Sequence, residues 1–144
     1  MLTLREPAPT RAGMTFHQML ERIRYEGAYP TRERAEHVAH AVLAALGRQL
    51  TGEERADLAT CLPPEAALVL TGQIPDGQPL TGWGFVKELA TRTGGTPATT
   101  RWDTGAVLDA VGHLAGPGLL NRILTQLPPG YALLFGRAEH IQAA

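Results

Sequence analysis

The sequence predicts an all-α fold, a compact helical bundle made of two pseudo-repeated units of three to four helices each. Three observations lead there. Val and Ile together number only 10 of 144 residues and aromatics make up 6%, whereas strands favour β-branched and aromatic side chains. Ala and Leu, both helix formers, carry most of the apolar share instead. The chain also resembles itself: shifted by 65, residues 40–71 meet 105–136 with 11 identities and no gap. Ala41, Val42, Leu43, Ala45 and Gly47 meet Ala106, Val107, Leu108, Ala110 and Gly112. Thr60, Leu62, Pro63, Pro64, Ala67 and Leu68 meet Thr125, Leu127, Pro128, Pro129, Ala132 and Leu133. Upstream, Phe16 to Leu20 resembles Phe85 to Leu89. The expected organisation is one helical domain over 1–144, with units 14–71 and 82–136 joined by a Gly/Pro-rich loop, 72–81. Two copies are too few for an extended solenoid, and neither unit alone is large enough to be very stable, so each is expected to cover the other's apolar face.

The elements follow in order. Phe16, Met19, Leu20 and Ile23 have i, i+3, i+4, i+7 spacing, the stripe of an amphipathic helix that Gly27 ends. Tyr29 precedes Pro30 and is extended. Thr31 caps a second helix running to about Leu50, with Ala35, Val38, Ala39, Val42, Ala45, Leu46 and Gln49 as its buried stripe. Thr51-Gly52-Glu53-Glu54 has the form of a capping box opening a third helix, whose apolar set is Ala56, Leu58, Ala59 and Leu62. Pro64, tolerated in a first turn, opens a short fourth helix through Leu70. The second unit starts with a helix over about 82–93 that Gly94-Gly95 ends. Thr96 and Pro97 then cap and open a helix to about Leu114. Gly116-Pro117 starts the next, Leu127-Pro128-Pro129 breaks it, and Gly136 ends a last short helix. The ends, 1–12 and 138–144, are expected to fray.

Composition bounds function. Thirteen basic against 14 acidic residues give a net charge of -1, which argues against a nucleic-acid-coating protein. One cysteine, Cys61, excludes an internal disulfide and a cysteine zinc finger. It is expected to be a buried or half-buried structural residue. No apolar run reaches the roughly 18–20 residues that span a bilayer, and the first residues lack a signal-peptide layout, so a cytoplasmic protein is expected. Twelve of the 13 basic residues are Arg, and with abundant Ala, Gly and Pro the composition is that of a high-GC bacterial genome.

Ala41-Val42-Leu43, Leu46 and Leu50, followed by Leu62-Pro63 and Leu70, form an AVLxxLxxxL then LPxxxxxL order. Ala106-Val107-Leu108 and Leu127-Pro128 to Phe135 give it again. This order resembles a bacterial family, domain-of-unknown-function number 2267, over about 14–136. The resemblance implies a helical, often duplicated fold. It carries no catalytic residues to transfer. The second copy departs at Gly116-Pro117-Gly118, where the first has an acidic cap, and at Trp102-Asp103, where the first has His37-Val38.

Chemistry-bearing residues are few. Glu33, His37 and His40 fall on one face of the second helix and are weak candidates for a metal site. That face is opposite the apolar stripe, so a solvated surface with an i, i+4 Glu–His contact explains them, and no metal or cofactor is expected. Arg22, Arg24, Arg32 and Arg34, with Tyr25 and Tyr29 between them, resemble a nucleic-acid patch until Glu21, Glu26, Glu33 and Glu36 are counted. A salt-bridged surface is the plainer reading. The third helix carries Glu53, Glu54 and Asp57 against Arg55 alone, a poor recognition helix. Asp103 and Asp109 point in different directions and are not an acid/base pair. Trp83 and Trp102 are special to the second unit; core filling or partial burial is the plainer reading, and an exposed Trp there is the expected place of a partner contact.

Together these predict a non-enzymatic cytoplasmic protein-interaction or regulatory adaptor, contacting another protein or its own copy, with no nucleic acid and no membrane. The alternative is a small-molecule sensor whose ligand lies in a groove between the two units.

Overall fold

The computed structural model describes residues 14–137. The end segments expected to fray, 1–12 and 138–144, lie outside the described residues. Among the described residues there are seven helices and no strand: α1 Phe16–Gly27, α2 Arg32–Gln49, α3 Gly52–Cys61, α4 Pro64–Thr71, α5 Gly82–Thr93, α6 Pro97–Gln126 and α7 Tyr131–Leu134. None is long and apolar enough to cross a membrane.

Helix starts follow the threonines. Thr15 and Gln18 form a reciprocal capping box at α1, which satisfies two free backbone donors. Thr31 accepts from the Arg34 N–H, Thr81 from Gly84 and Thr96 from Thr99. Pro64 and Pro97 occupy first turns, where a missing N–H costs nothing. Within α6, Gly116 adopts φ 81, ψ 162 and breaks the helical path before Pro117, so the interruption expected at Gly116-Pro117 is present.

Two local expectations need correction. Thr51 and Glu54 do not form a capping box; no side-chain cap bond is made at Thr51. The Gln126 side chain takes over instead. Its Oε1 accepts from the Thr51 N–H at 2.9 Å, and its Nε2 donates to Thr51 O and Glu54 Oε1. Gly27 ends α1 as expected, and Ala28 supplies the left-handed cap after it, at φ 56. Gly27 is required because a Cβ there would lie 2.0 Å from the Tyr29 ring. Ala56, placed in the apolar set of α3, is exposed; Leu58 and Leu62 do the packing.

One core runs through both halves of the chain. Met19, Ile23, Val42, Leu46, Leu58 and Leu70 share it with Phe85, Val107, Leu108 and Ile123. Helix α2 is central, packing on α1, α4, α5 and α6. It approaches α4 so closely that a Cβ on Gly47 would fall 2.2 Å from Leu70 O. Phe85 and Tyr131 meet edge to face at 5.6 Å, and the Tyr131 hydroxyl donates to Leu80 O. Polar links also cross between the halves: Arg22 to Asp109 at 3.2 Å, Arg122 to Glu54 and Asp57, and the Trp102 indole N–H to Gly27 O at 3.0 Å.

Arg55 organises the first half. From α3 it donates to four backbone carbonyls: Gly47 and Leu50 at the end of α2, Leu70 near the end of α4, and Gln73 beyond it. The last carbonyls of a helix have no intrahelical partner and carry negative partial charge. One guanidinium therefore closes two helix ends.

Candidate functional site

A cleft of about 260 Å³ opens between α2 and the turn joining α5 to α6. Its apolar wall comes from Val38, Ala41 and Val42 on α2 and Leu89 on α5. The α5–α6 turn forms the opposite side. Gly94 ends α5 in the left-handed region, at φ 78, and Thr96 starts α6 immediately afterwards, which leaves Gly95 between them.

Gly95 is the centre of a small hydroxyl cradle. A Cβ placed on it would meet Thr100 Oγ1 at 3.2 Å, with Thr93 Oγ1 and Thr99 Oγ1 both at 3.6 Å. Two of these hydroxyls are committed. Thr93 donates to Leu89 O at 2.9 Å, and Thr99 is engaged with Thr96. Thr100 is only 5% exposed and lines the cleft. Among the described residues the buried side-chain atoms without a partner are Arg22 Nε and Thr104 Oγ1, not the Thr100 hydroxyl.

Two opposite charges flank the cradle. Arg34 lines the cleft from α2. Its neighbours Arg22, Arg24 and Arg32 pair with Asp109 or Glu21, and the Arg24 and Arg32 hydrogen bonds hold the Glu21 carboxyl below its usual value. Arg34 makes no such pair. Asp103 lines the cleft from α6 and accepts from the Tyr29 hydroxyl at 2.5 Å. Burial, then the Asp103 hydrogen bond and charge, push the Tyr29 hydroxyl far above its ordinary value. The phenol stays a donor and Asp103 an acceptor.

Glu33, His37 and His40 are all exposed on α2. Among the described residues no group of three or more His, Cys, Asp or Glu side chains is gathered to hold a metal ion. The Glu–His contact on this face is Glu36 to His40, at 3.9 Å, rather than Glu33 to His37, while His37 lines the cleft. Cys61 is half-buried. Trp83 and Trp102 are each 58% exposed; they do not fill the core. Asp103 and Asp109 go to separate partners, Tyr29 and Arg22.

The cleft residues other than His37 were not singled out as a site by sequence. A signal was present: Thr91 to Thr100 reads TRTGGTPATT, five threonines around a Gly-Gly turn. Nothing local, however, says that this turn faces α2.

A family model described as Uncharacterized conserved protein (DUF2267) matches residues 16–134. The chain belongs to that family. The match spans nearly all described residues, from the start of α1 to the end of α7, and so takes in both walls of the cleft. No curated protein matches the chain. Membership in DUF2267 fixes a conserved domain and assigns it no activity.

Proposed function

We propose that this DUF2267 domain is a non-enzymatic binding module that recognises a small molecule between α2 and the α5–α6 turn. One observation carries the reading: Arg34 and Asp103, neither in an ion pair among the described residues, line one small cleft against an apolar wall. Ligand sites combine an apolar wall with a few placed polar groups, and this cleft has both. At about 260 Å³ it suits a small metabolite, below the roughly 300–1,000 Å³ of drug-sized sites. The reading has the domain working as a sensor in a bacterial cytoplasm, in keeping with its single, half-buried cysteine.

The test is amide chemical-shift mapping of the full chain against pools of small metabolites. The expected result is saturable shifts at Gly94, Gly95, Thr100, Val38 and Val42. Pools that leave these amides unmoved overturn the reading.

A second reading, a protein-interaction adaptor, is favoured by Trp102. Its ring is 58% exposed yet held in place by its N–H bond to Gly27 O, the preorganised aromatic that interfaces use as an anchor. Affinity capture from the native host, compared between the parent and Trp102→Ala or Trp83→Ala, tests it. A stoichiometric protein lost with either variant supports an adaptor; capture of the bare chain under all growth conditions removes it.

A further inference from the structure

We infer that the cleft takes a small zwitterion, an α-amino acid with a short apolar side chain, its carboxylate toward Arg34 and its ammonium toward Asp103. This rests on the ligand-binding reading above and names its ligand class.

Arg34 and Asp103 line the same small cleft, and no ion pair is made between them or by either with another side chain among the described residues. A guanidinium and a carboxylate that line one cavity without pairing cancel in net charge but not in local field. A dianion such as a phosphate monoester gains from Arg34 and loses to Asp103; a cationic amine does the reverse. A zwitterion gains from both. The Tyr29 hydroxyl already occupies one lone pair of Asp103, which fixes the carboxylate and leaves its remaining acceptor sites for an ammonium donor.

The polar cradle and the wall set the rest. Thr100 lines the cleft and supplies a hydroxyl that can donate to a carboxylate oxygen or accept from an ammonium. Gly95 keeps the cradle open, because a Cβ there would reach 3.2 Å from that hydroxyl. Ala41, half-buried, lines the cleft beside Val38, Val42 and Leu89 and offers an aliphatic surface for the side chain. The volume leaves room for a short one.

The experiment titrates the full chain with L-valine and two analogues that each lack one charge, 3-methylbutanoate and 2-methylpropylamine. Calorimetry gives affinity and amide shifts give location; L-alanine and L-leucine bracket side-chain size. The expected result is saturable binding of at least one of the amino acids at Gly95 and Thr100. Both analogues bind at least about tenfold more weakly, as does the amino acid to Asp103→Asn and to Arg34→Gln. Gly95→Ala loses binding with its melting temperature kept, since Gly95 is exposed and outside the left-handed region; this variant keeps the test valid should Asp103→Asn loosen the Tyr29 contact. If the analogues move the same amides as strongly as the amino acids, the zwitterion inference falls and the cleft reading stands. If neither amino acids, analogues nor metabolite pools move those amides, both fall.

Discussion

Replacing Arg55 by methionine keeps most of the aliphatic stem and removes the guanidinium. Four carbonyls then lose their donor: Gly47, Leu50, Leu70 and Gln73. A hydrogen bond from a charged donor contributes about 1.5–3 kcal/mol. Arg55 is half-buried, so water can reach some of these carbonyls in the variant, and about 1 kcal/mol each is the fitting figure. The loss is then about 4 kcal/mol, against a total stability of about 5–15 kcal/mol. At about 3 °C per kcal/mol for a chain of this length, the melting temperature falls by about 12 °C. Arg55→Lys recovers only part, because three donors on one ammonium cannot serve carbonyls from two helix ends and a loop. Arg32→Met is the control; its pair with Glu21 is exposed and worth under about 1 kcal/mol. The assay is thermal and urea unfolding followed by circular dichroism. An Arg55→Met protein that melts within about 2 °C of the parent refutes the claim that one side chain closes α2 and α4.

Three further outcomes follow from the same geometry. Gln126→Ala strips the Thr51 N–H of its partner and leaves Glu54 with Arg122 alone, and costs about 1–2 kcal/mol, the range of a lost helix cap; the protection of the Thr51 amide from hydrogen exchange should fall with it. Gly47→Ala drives a methyl into the Leu70 carbonyl and lowers stability by about 1–3 kcal/mol, read as a lower urea midpoint at unchanged slope. Tyr29 and Tyr131 are both pushed up from 10.0, chiefly by burial, so above about pH 10 the folded chain holds protons that the unfolded chain releases. Stability should be intact below about pH 10 and fall as pH rises further. Tyr29→Phe should flatten part of that fall, and a urea midpoint that is constant to about pH 11 in the parent would contradict it.

What the sequence made legible was local. Caps at Thr31, Thr81 and Thr96, the prolines at 64 and 97, and the break at Gly116 are decided within a few residues, and the helix boundaries follow them closely. Thr51 shows the limit. Its four-residue pattern matches a capping box, yet a side chain 75 positions away competes for the same N–H and wins, because Gln126 satisfies donor and acceptor at once. Gly27 ends α1 as expected, and its missing Cβ makes room for the Tyr29 ring, a contact the helical stripe alone does not announce. Arg55 looked like a lone cation among acids, since nothing in α3 announces the two helix ends above it. The members of the cleft, Arg34, Gly95, Thr100 and Asp103, come from α2, the α5–α6 turn and α6. Only tertiary packing brings them together.

The Gln126 clasp also bears on how the chain is made. During synthesis the first half emerges well before residue 126, and domains otherwise tend to fold from the N-terminus as they appear. Until Gln126 and Arg122 leave the ribosome, the start of α3 has an unmet N–H, and Glu54 and Asp57 lack their cation. Arg22 likewise waits for Asp109, and the Gly27 carbonyl for Trp102. The nascent first half is therefore unfinished along two of its helices, and the late segment acts as the lock that commits the whole chain to its final packing.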